Sequence, residues 1–177
     1  MLITILLCIA GFIALLLIIA LFLKKDYAVE RSVTVNQPKQ LVFDYIRSLK
    51  NQDNFSKWAS MDPNMKKEYR GTDGTVGFVS AWEGNKKVGK GEQEIKKITE
   101  GERVDFELRF IKPFAGLANA YITTEAVNNQ QTLVKWGFDS RMKYPMNLML
   151  LFMNMEKMIG NDFSTGLNNL KNNLEAA

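Results

Sequence analysis

Asp105 and Glu107 are the two acidic residues whose spacing could support acid–base chemistry. Carboxylates can act as general acids and bases when they lie beside a reacting group. In this stretch, however, they alternate with Val104, Phe106 and Leu108, and successive residues of a strand point to opposite faces of a sheet. Because the apolar set would face the interior, we predict that both carboxylates are solvated, and we assign no catalytic residue.

Two residue types that many enzymes and metal sites depend on are missing from most of the chain. Histidine is absent, and the single cysteine, Cys8, lies in an apolar run near the N-terminus. This excludes thiol nucleophiles, serine–histidine–aspartate machinery, structural zinc and disulfides from the rest of the chain. We therefore predict no metal and no cofactor, and any acid–base chemistry would use Asp, Glu, Lys, Tyr or Arg.

The chain is mildly basic, with a formal net charge of +4 and a pI of about 9.1. A nucleic-acid binder would usually carry a tighter basic cluster with interleaved aromatic residues, so nucleic acid is not a predicted partner. Lys86, Lys87 and Lys90 form a basic hairpin. This hairpin is either a solvated loop or a contact for anionic lipid headgroups, an attraction of about 1 kcal/mol per residue near a membrane surface.

Residues 2–23 form an uncharged and strongly apolar run. As a helix they would span about 33 Å, close to the hydrocarbon thickness of a bilayer. A cleaved signal peptide is the alternative, but the run lacks a basic start and a small-residue cleavage site. We predict a retained single-pass helix in the cell membrane, and Lys24 and Lys25 behind it favour a cytoplasmic C-terminal domain. A protease-protection assay on sealed vesicles tests this orientation, which cleavage from the outside would overturn.

Residues 27–177 are predicted to form one α+β domain, joined to the apolar helix by the short linker 24–26. A strand at residues 27–35 precedes two short helices, and strands of alternating polarity separated by Gly- and Asn-containing turns follow. Hairpins between two helical regions indicate an antiparallel sheet and not alternating βαβ units. Residues 145–174 are predicted to form one long helix, with Pro145 suited to its first position.

Several motifs in this domain carry a family resemblance. They are Val35-Asn36-Gln37-Pro38, Val42-Phe43-Asp44-Tyr45, Phe55-Ser56-Lys57-Trp58, the stretches 77–85 and 88–91, Lys112-Pro113-Phe114, Trp136, and Met155-Glu156-Lys157-Met158-Ile159-Gly160. Over residues 27–175 they resemble the SRPBCC superfamily (START-like, polyketide cyclase/dehydrase type), and in particular a membrane-anchored bacterial branch. The resemblance implies a helix-grip fold, in which a curved antiparallel sheet surrounds a long C-terminal helix, and a cavity for bulky apolar ligands. No catalytic motif carries over.

Residues on the inner face of the sheet and on the last helix are the candidates for lining that cavity. Each could instead be ordinary core, since apolar periodicity usually reflects packing. Many of the methionines cluster between Met142 and Met158, and methionine adapts to irregular surfaces. Tyr121 and Trp82 would either offer polar groups to a ligand or satisfy a nearby backbone group. The full candidate set is Phe78, Trp82, Phe106, Leu108, Phe110, Tyr121, Val134, Trp136, Phe138, Met149, Phe152, Met153, Met155 and Ile159.

Together these features predict a membrane-anchored protein that binds a hydrophobic small molecule or lipid. Residues 2–23 would contact the bilayer, and the linker 24–26, which reaches about 10 Å at most, would hold the domain close to its surface. Two alternatives stay open. One is a cyclase- or hydratase-type enzyme acting on a polyketide-like substrate, which would need a titratable group inside the cavity. The other is a non-catalytic scaffold with a filled cavity, and the volume between helix and sheet discriminates between the three.

Overall fold

The domain is built on one antiparallel sheet of seven strands in the computed structural model, which describes residues 1–176. The strands are β1 (Asp26–Val35), β2 (Lys66–Arg70), β3 (Val79–Glu83), β4 (Lys90–Thr99), β5 (Arg103–Lys112), β6 (Gly116–Asn128) and β7 (Gln131–Arg141). Their order across the sheet is β1-β7-β6-β5-β4-β3-β2. Strands β2 to β7 therefore follow one another in chain order, and β1 lies beside β7, at the opposite edge from β2. The predicted α+β class is confirmed.

Helices lie at both ends of the chain and between the first two strands. They are α1 (Leu2–Phe22), α2 (Lys39–Arg47), α3 (Lys57–Ser60), α4 (Met149–Phe152) and α5 (Met155–Glu175), with 3-10 turns at Asn51–Asn54 and Met146–Leu148. The amphipathic α2 buries Val42, Phe43 and Ile46. The long C-terminal helix, α5, packs within the concave side of the sheet, as the helix-grip prediction required.

The contact between α5 and the sheet is centred on aromatic side chains. Phe163 of α5 stacks on Trp136 of β7, with ring centroids 4.5 Å apart and an angle of 11° between the planes. Gly166, one turn further along α5, allows this close approach, because a Cβ atom there would lie 2.8 Å from Trp136 Cζ3. Leu167, Leu170 and further apolar residues continue the buried face of the helix.

The pairing of β4 with β5 is irregular at two points. The register between them shifts twice, between Lys90 and Gly91 and between Ile95 and Lys97. A β-bulge bends its strand and increases the local twist. The two shifts therefore help to wrap the β2–β5 half of the sheet over the helix and leave space between them.

The C-terminal helix begins later than predicted. Residues 145–174 do not form one helix, because the backbone is extended at Met153 and α5 starts only at Met155. The Asn154 side chain accepts a hydrogen bond from the Lys157 N–H at 2.8 Å and so caps the new helix. A continuous apolar run concealed this break, and residues 146–153 form a separate element beside the sheet, the 146–153 segment.

Helix α1 is long and apolar enough to cross a membrane, and among residues 1–176 it is the single helix that meets this criterion. A signal sequence at the N-terminus would satisfy the same criterion. Nearly all of its side chains are exposed, and Ala20 is its one buried residue. The 146–153 segment contacts its C-terminal end, where the Asn147 Nδ2 atom donates hydrogen bonds to the carbonyl oxygens of Ala20 (2.7 Å) and Leu23 (3.4 Å).

Candidate ligand-binding site

A cavity of about 370 Å³ lies between the concave face of the sheet and helices α3 and α5. This volume falls in the lower part of the range typical of small-molecule sites, about 300–1,000 Å³. Its wall is mostly apolar. Half of the candidate residues line it, namely Trp82, Leu108, Phe110, Trp136, Phe138, Met155 and Ile159.

The other candidates lie elsewhere. Phe78, Phe106 and Val134 belong to the filled core, where each is at most 2 % exposed. Met153 and Phe152 border a separate, open groove beside the start of β1, and Met149 is part of α4. Met149, Phe152 and Met153 lie outside the cavity because the chain breaks before α5. The 146–153 segment is therefore placed beside the start of β1 and the end of α1.

Tyr121 lies on the outer, convex face of the sheet and does not line the cavity. Its hydroxyl donates a hydrogen bond to Glu30, and the Arg103 guanidinium sits over its ring at 4.0 Å from the centroid. The hydrogen bond to Glu30, together with partial burial, raises the pKa of Tyr121. The buried residues of β6 that alternate with Tyr121 are Ala118, Ala120, Ile122 and Thr124, and the first two are small.

Asp105 and Glu107 also lie in ion pairs of the sheet and not in the cavity. Asp105 pairs with Arg103 at 2.7 Å, and Glu107 pairs with Arg109. The same Arg109 contacts two further carboxylates of β4 and helps to lower their pKa values. The prediction that the two carboxylates face away from the interior is therefore correct, and the ion pairs they form have a structural role.

Small residues on the inner face create the space. Ala120 lines the cavity with only a methyl group, between the cross-strand neighbours Phe106 and Phe138. Gly91 allows the Trp82 indole to lie close over β4, since a Cβ atom at Gly91 would meet Trp82 Cζ2 at 2.6 Å. Sequence reasoning did not list Ala120, although small residues at inward positions of an otherwise aromatic sheet would have signalled the opening.

The residues that line this mostly apolar space include several polar ones, two of which face each other across β3 and β4. Ser80 and Gln93 are directly opposite each other on β3 and β4, and both line the cavity. Neither side chain makes a hydrogen bond with any other described residue. Ser80 is buried and Gln93 is half-buried, and a polar group withdrawn from water without a partner is costly. These two side chains are therefore available to a hydroxyl, carbonyl or carboxylate group of a ligand, or to water.

The acidic residue of the cavity wall is already engaged. Asp53 accepts hydrogen bonds from the Lys67 Nζ at 2.6 Å and from the Tyr69 hydroxyl at 2.7 Å. Burial, followed by the hydrogen bond and the negative charge of Asp53, raises the pKa of Tyr69 to about 12. The Asp53 carboxylate therefore forms part of the cavity wall but is already bound by Lys67 and Tyr69.

This cluster predicts a pH dependence at alkaline pH. Since the folded pKa of Tyr69 is raised from 10.0 to about 12, folding keeps its proton, and that contribution to stability is complete below pH 10 and is lost between pH 10 and about 12. Spectrophotometric titration should show that Tyr69→Phe removes a phenol ionising near pH 12. Asp53→Asn should lower the pKa of Tyr69. If the phenol that disappears in Tyr69→Phe ionises near pH 10, the assignment is contradicted.

The mouth of the cavity combines apolar and basic side chains. Phe114 and Met158 lie there largely exposed, and Lys87 and Lys112 stand beside them. Of the predicted basic hairpin, Lys86 and Lys87 are exposed, whereas Lys90 pairs with Glu83 at 2.9 Å. Among residues 1–176, no group of three or more Asp, Glu, Cys or His side chains is arranged to hold a metal ion.

A curved antiparallel sheet that holds a long helix, with a mostly apolar cavity between them, defines a helix-grip ligand-binding domain. The family model described as "Polyketide cyclase / dehydrase and lipid transport" matches residues 27–175. The chain belongs to this family, and the resemblance to the SRPBCC superfamily is thereby confirmed. A search of curated proteins found no match.

Solved structures share the fold at low sequence identity. A protein from Nitrosospira multiformis is 16 % identical, with a TM-score of 0.58 over 84 % of this chain and 96 % of its own. A protein from Thermobifida fusca is 20 % identical, with a TM-score of 0.56 over 83 % and 92 %. The protein Ara h 8.0201 is 13 % identical, with a TM-score of 0.60 over 86 % and 99 %. At these identities the likeness shows the fold alone.

Proposed function

We propose that the protein binds a hydrophobic small molecule or lipid at a membrane surface, to which α1 anchors it. The observation that carries the proposal is the cavity of about 370 Å³, whose apolar wall contains the unpartnered Ser80 and Gln93 side chains. Affinity would come from apolar surface removed from water, about 25 cal/mol per Å² before ordering costs. A ligand with an oily body and one or two oxygen-bearing groups fits this wall best.

The anchoring part of the proposal is supported by the length and exposure of α1. The helix comprises 21 residues, which at helical rise reach about 32 Å, close to the hydrocarbon thickness of a bilayer. Its side chains are exposed almost throughout, as lipid-facing side chains would be. Only residues 23–25 separate α1 from β1, so the domain would lie against the bilayer, on the cytoplasmic side if Lys24 and Lys25 set the orientation.

The two rival functions have less support. A scaffold with a filled interior would lack an open volume of this size. An enzyme of cyclase or hydratase type would need a titratable group free to act on the substrate. Asp53, the carboxylate of the cavity wall, is held by both Lys67 and Tyr69. Ligand binding without an assigned reaction is therefore the function that the geometry favours.

Native mass spectrometry of the detergent-extracted, full-length protein tests the binding proposal. We expect the protein ion to carry a co-purified apolar molecule that is released on collisional activation, because a mostly apolar cavity of this size suits an apolar molecule better than water does. Extraction of the same sample with organic solvent should then identify that molecule. A protein ion without any bound small molecule or lipid would contradict the proposal.

A further inference from the structure

The 146–153 segment is an exposed apolar element attached to the end of α1. Leu151 and Phe152 are 55 % and 81 % exposed, and Met146 is also exposed. None of the three is part of the core of the domain. An isolated exposed apolar side chain is ordinary, but a contiguous apolar segment of this kind usually marks a contact surface.

The contacts of Asn147 place this segment beside the C-terminal end of α1. The last carbonyl groups of a helix have no intrahelical partners. The Asn147 side chain donates to two carbonyl groups at this helix end, those of Ala20 and Leu23, and Asn147 is itself buried. If α1 crosses the bilayer, as the proposed function holds, its C-terminal end lies at the level of the headgroups and the ends of the acyl chains. The 146–153 segment lies at the same level.

The strand order brings the mouth of the cavity to the same side of the domain. Asp26, the first residue of β1, pairs with Arg141 at the end of β7. Because neighbouring strands are antiparallel, the β3–β4 loop and the β5–β6 loop lie at the same end of the strands as Asp26 and Arg141. These loops carry the mouth residues Lys87 and Phe114.

The charges at these strand ends are mainly basic, which suits an anionic membrane surface. Three of the acidic residues here form ion pairs, namely Asp26 with Arg141, Glu83 with Lys90 and Glu156 with Arg31. Two others, Asp62 and Asp139, accept hydrogen bonds from uncharged groups. Several lysines form no ion pair within residues 1–176, and attraction of such lysines to anionic headgroups adds to apolar insertion at an interface. These lysines are Lys24, Lys25, Lys86, Lys87, Lys112 and Lys143.

We propose that the 146–153 segment inserts into the interfacial layer of the bilayer beside α1, and that this second contact holds the mouth of the cavity, at Phe114, against the headgroups. The proposal rests on the anchoring role of α1. Tyr27 and Met155 form part of both the cavity wall and the groove behind the 146–153 segment. An apolar molecule could therefore pass between bilayer and cavity along an oily surface without entering bulk water.

Nitroxide labels on single cysteines of the full-length protein test this arrangement, in a Cys8→Ala background reconstituted in vesicles of phosphatidylcholine and phosphatidylglycerol. Labels at Phe152→Cys and Phe114→Cys report the two contacts. A label at Val127→Cys, which is 56 % exposed at the far end of β6, is the matched control in water. A label at Ile13→Cys in α1 reports the anchor itself.

Collision of the labels with oxygen and with a water-soluble nickel chelate gives the readout. We expect the ratio of oxygen to nickel collision rates to be highest for the label at residue 13. At residue 152 the ratio should be several-fold above that at residue 127. At residue 114 it should lie between the values at residues 127 and 152. If the label at residue 152 or 114 matches the one at residue 127 while residue 13 lies in lipid, the second contact is refuted and the anchor stands. If the label at residue 13 is itself open to nickel, the anchoring proposal fails.

Discussion

Replacing Phe163 with alanine is expected to lower the free energy of unfolding by about 3–5 kcal/mol, the cost of removing a large buried aromatic side chain. Phe163 is 2 % exposed and joins helix to sheet through several rings. It stacks on Trp136 and meets Trp58 and Phe138 edge-on, with centroids 5.7 and 6.4 Å away. Aromatic pairs of this kind contribute about 0.5–1.5 kcal/mol beyond their buried area.

Denaturant unfolding of the full-length protein in detergent micelles, followed by tryptophan fluorescence, measures this loss. The matched control is Phe152→Ala, since Phe152 is 81 % exposed and its side chain supports no part of the core. We expect the control to change the unfolding free energy by less than about 0.5 kcal/mol. Equal losses in the two variants would contradict the role given to Phe163.

The buried residues at the centre of the domain could be predicted from the sequence, because strand alternation and helix periodicity are local signals. In β5, Val104 and Phe106 alternate with charged residues and are buried as predicted. On α5, Phe163 and Leu167 recur at helical spacing and are buried. Their packing against one another, across long sequence separations, came from the family resemblance and not from the pattern.

Local patterns could not reveal where the last helix begins. The apolar run of the 146–153 segment continues into Met155, so periodicity offers no boundary, and a single Asn154 supplies the cap. An element that is apolar all round is either covered on every side or packs on a sheet with its other flank against a ligand or membrane, and the pattern alone does not choose between the two. The exposure of this run beside α1 depends on a tertiary contact, through Asn147, that no local signal encodes.

The shape of the cavity was equally hard to predict, because it depends on where side chains are small. The sequence analysis selected the large residues of the inner face, and several of these, such as Phe78 and Phe106, fill the core instead. Tyr121 was selected for its hydroxyl group, but it lies on the outer face, and the inward positions of β6 include the small Ala118 and Ala120. An open volume is therefore indicated by small residues, such as Ala120, at inward positions of a sheet whose other inward residues are large.

Ala120→Leu should consequently fill part of the cavity and weaken ligand binding at least ten-fold while the domain stays folded. Ala120 lines the cavity and is 4 % exposed, so the longer side chain would occupy the space that an apolar guest needs. We expect at least a ten-fold weaker retention of the co-purified molecule in native mass spectrometry, about 1.4 kcal/mol of binding free energy. Stability should change by less than about 1 kcal/mol, because the added carbons enter open space and not a filled core.

Ala126→Leu is the matched control, since it adds the same side chain to the same strand at an exposed position. It should retain the bound molecule as the unaltered protein does. Unfolding curves of both variants separate loss of the guest from loss of the fold. If Ala120→Leu folds normally and still carries the molecule at full occupancy, the guest does not lie between α5 and the sheet, and Ser80 and Gln93 are not its partners.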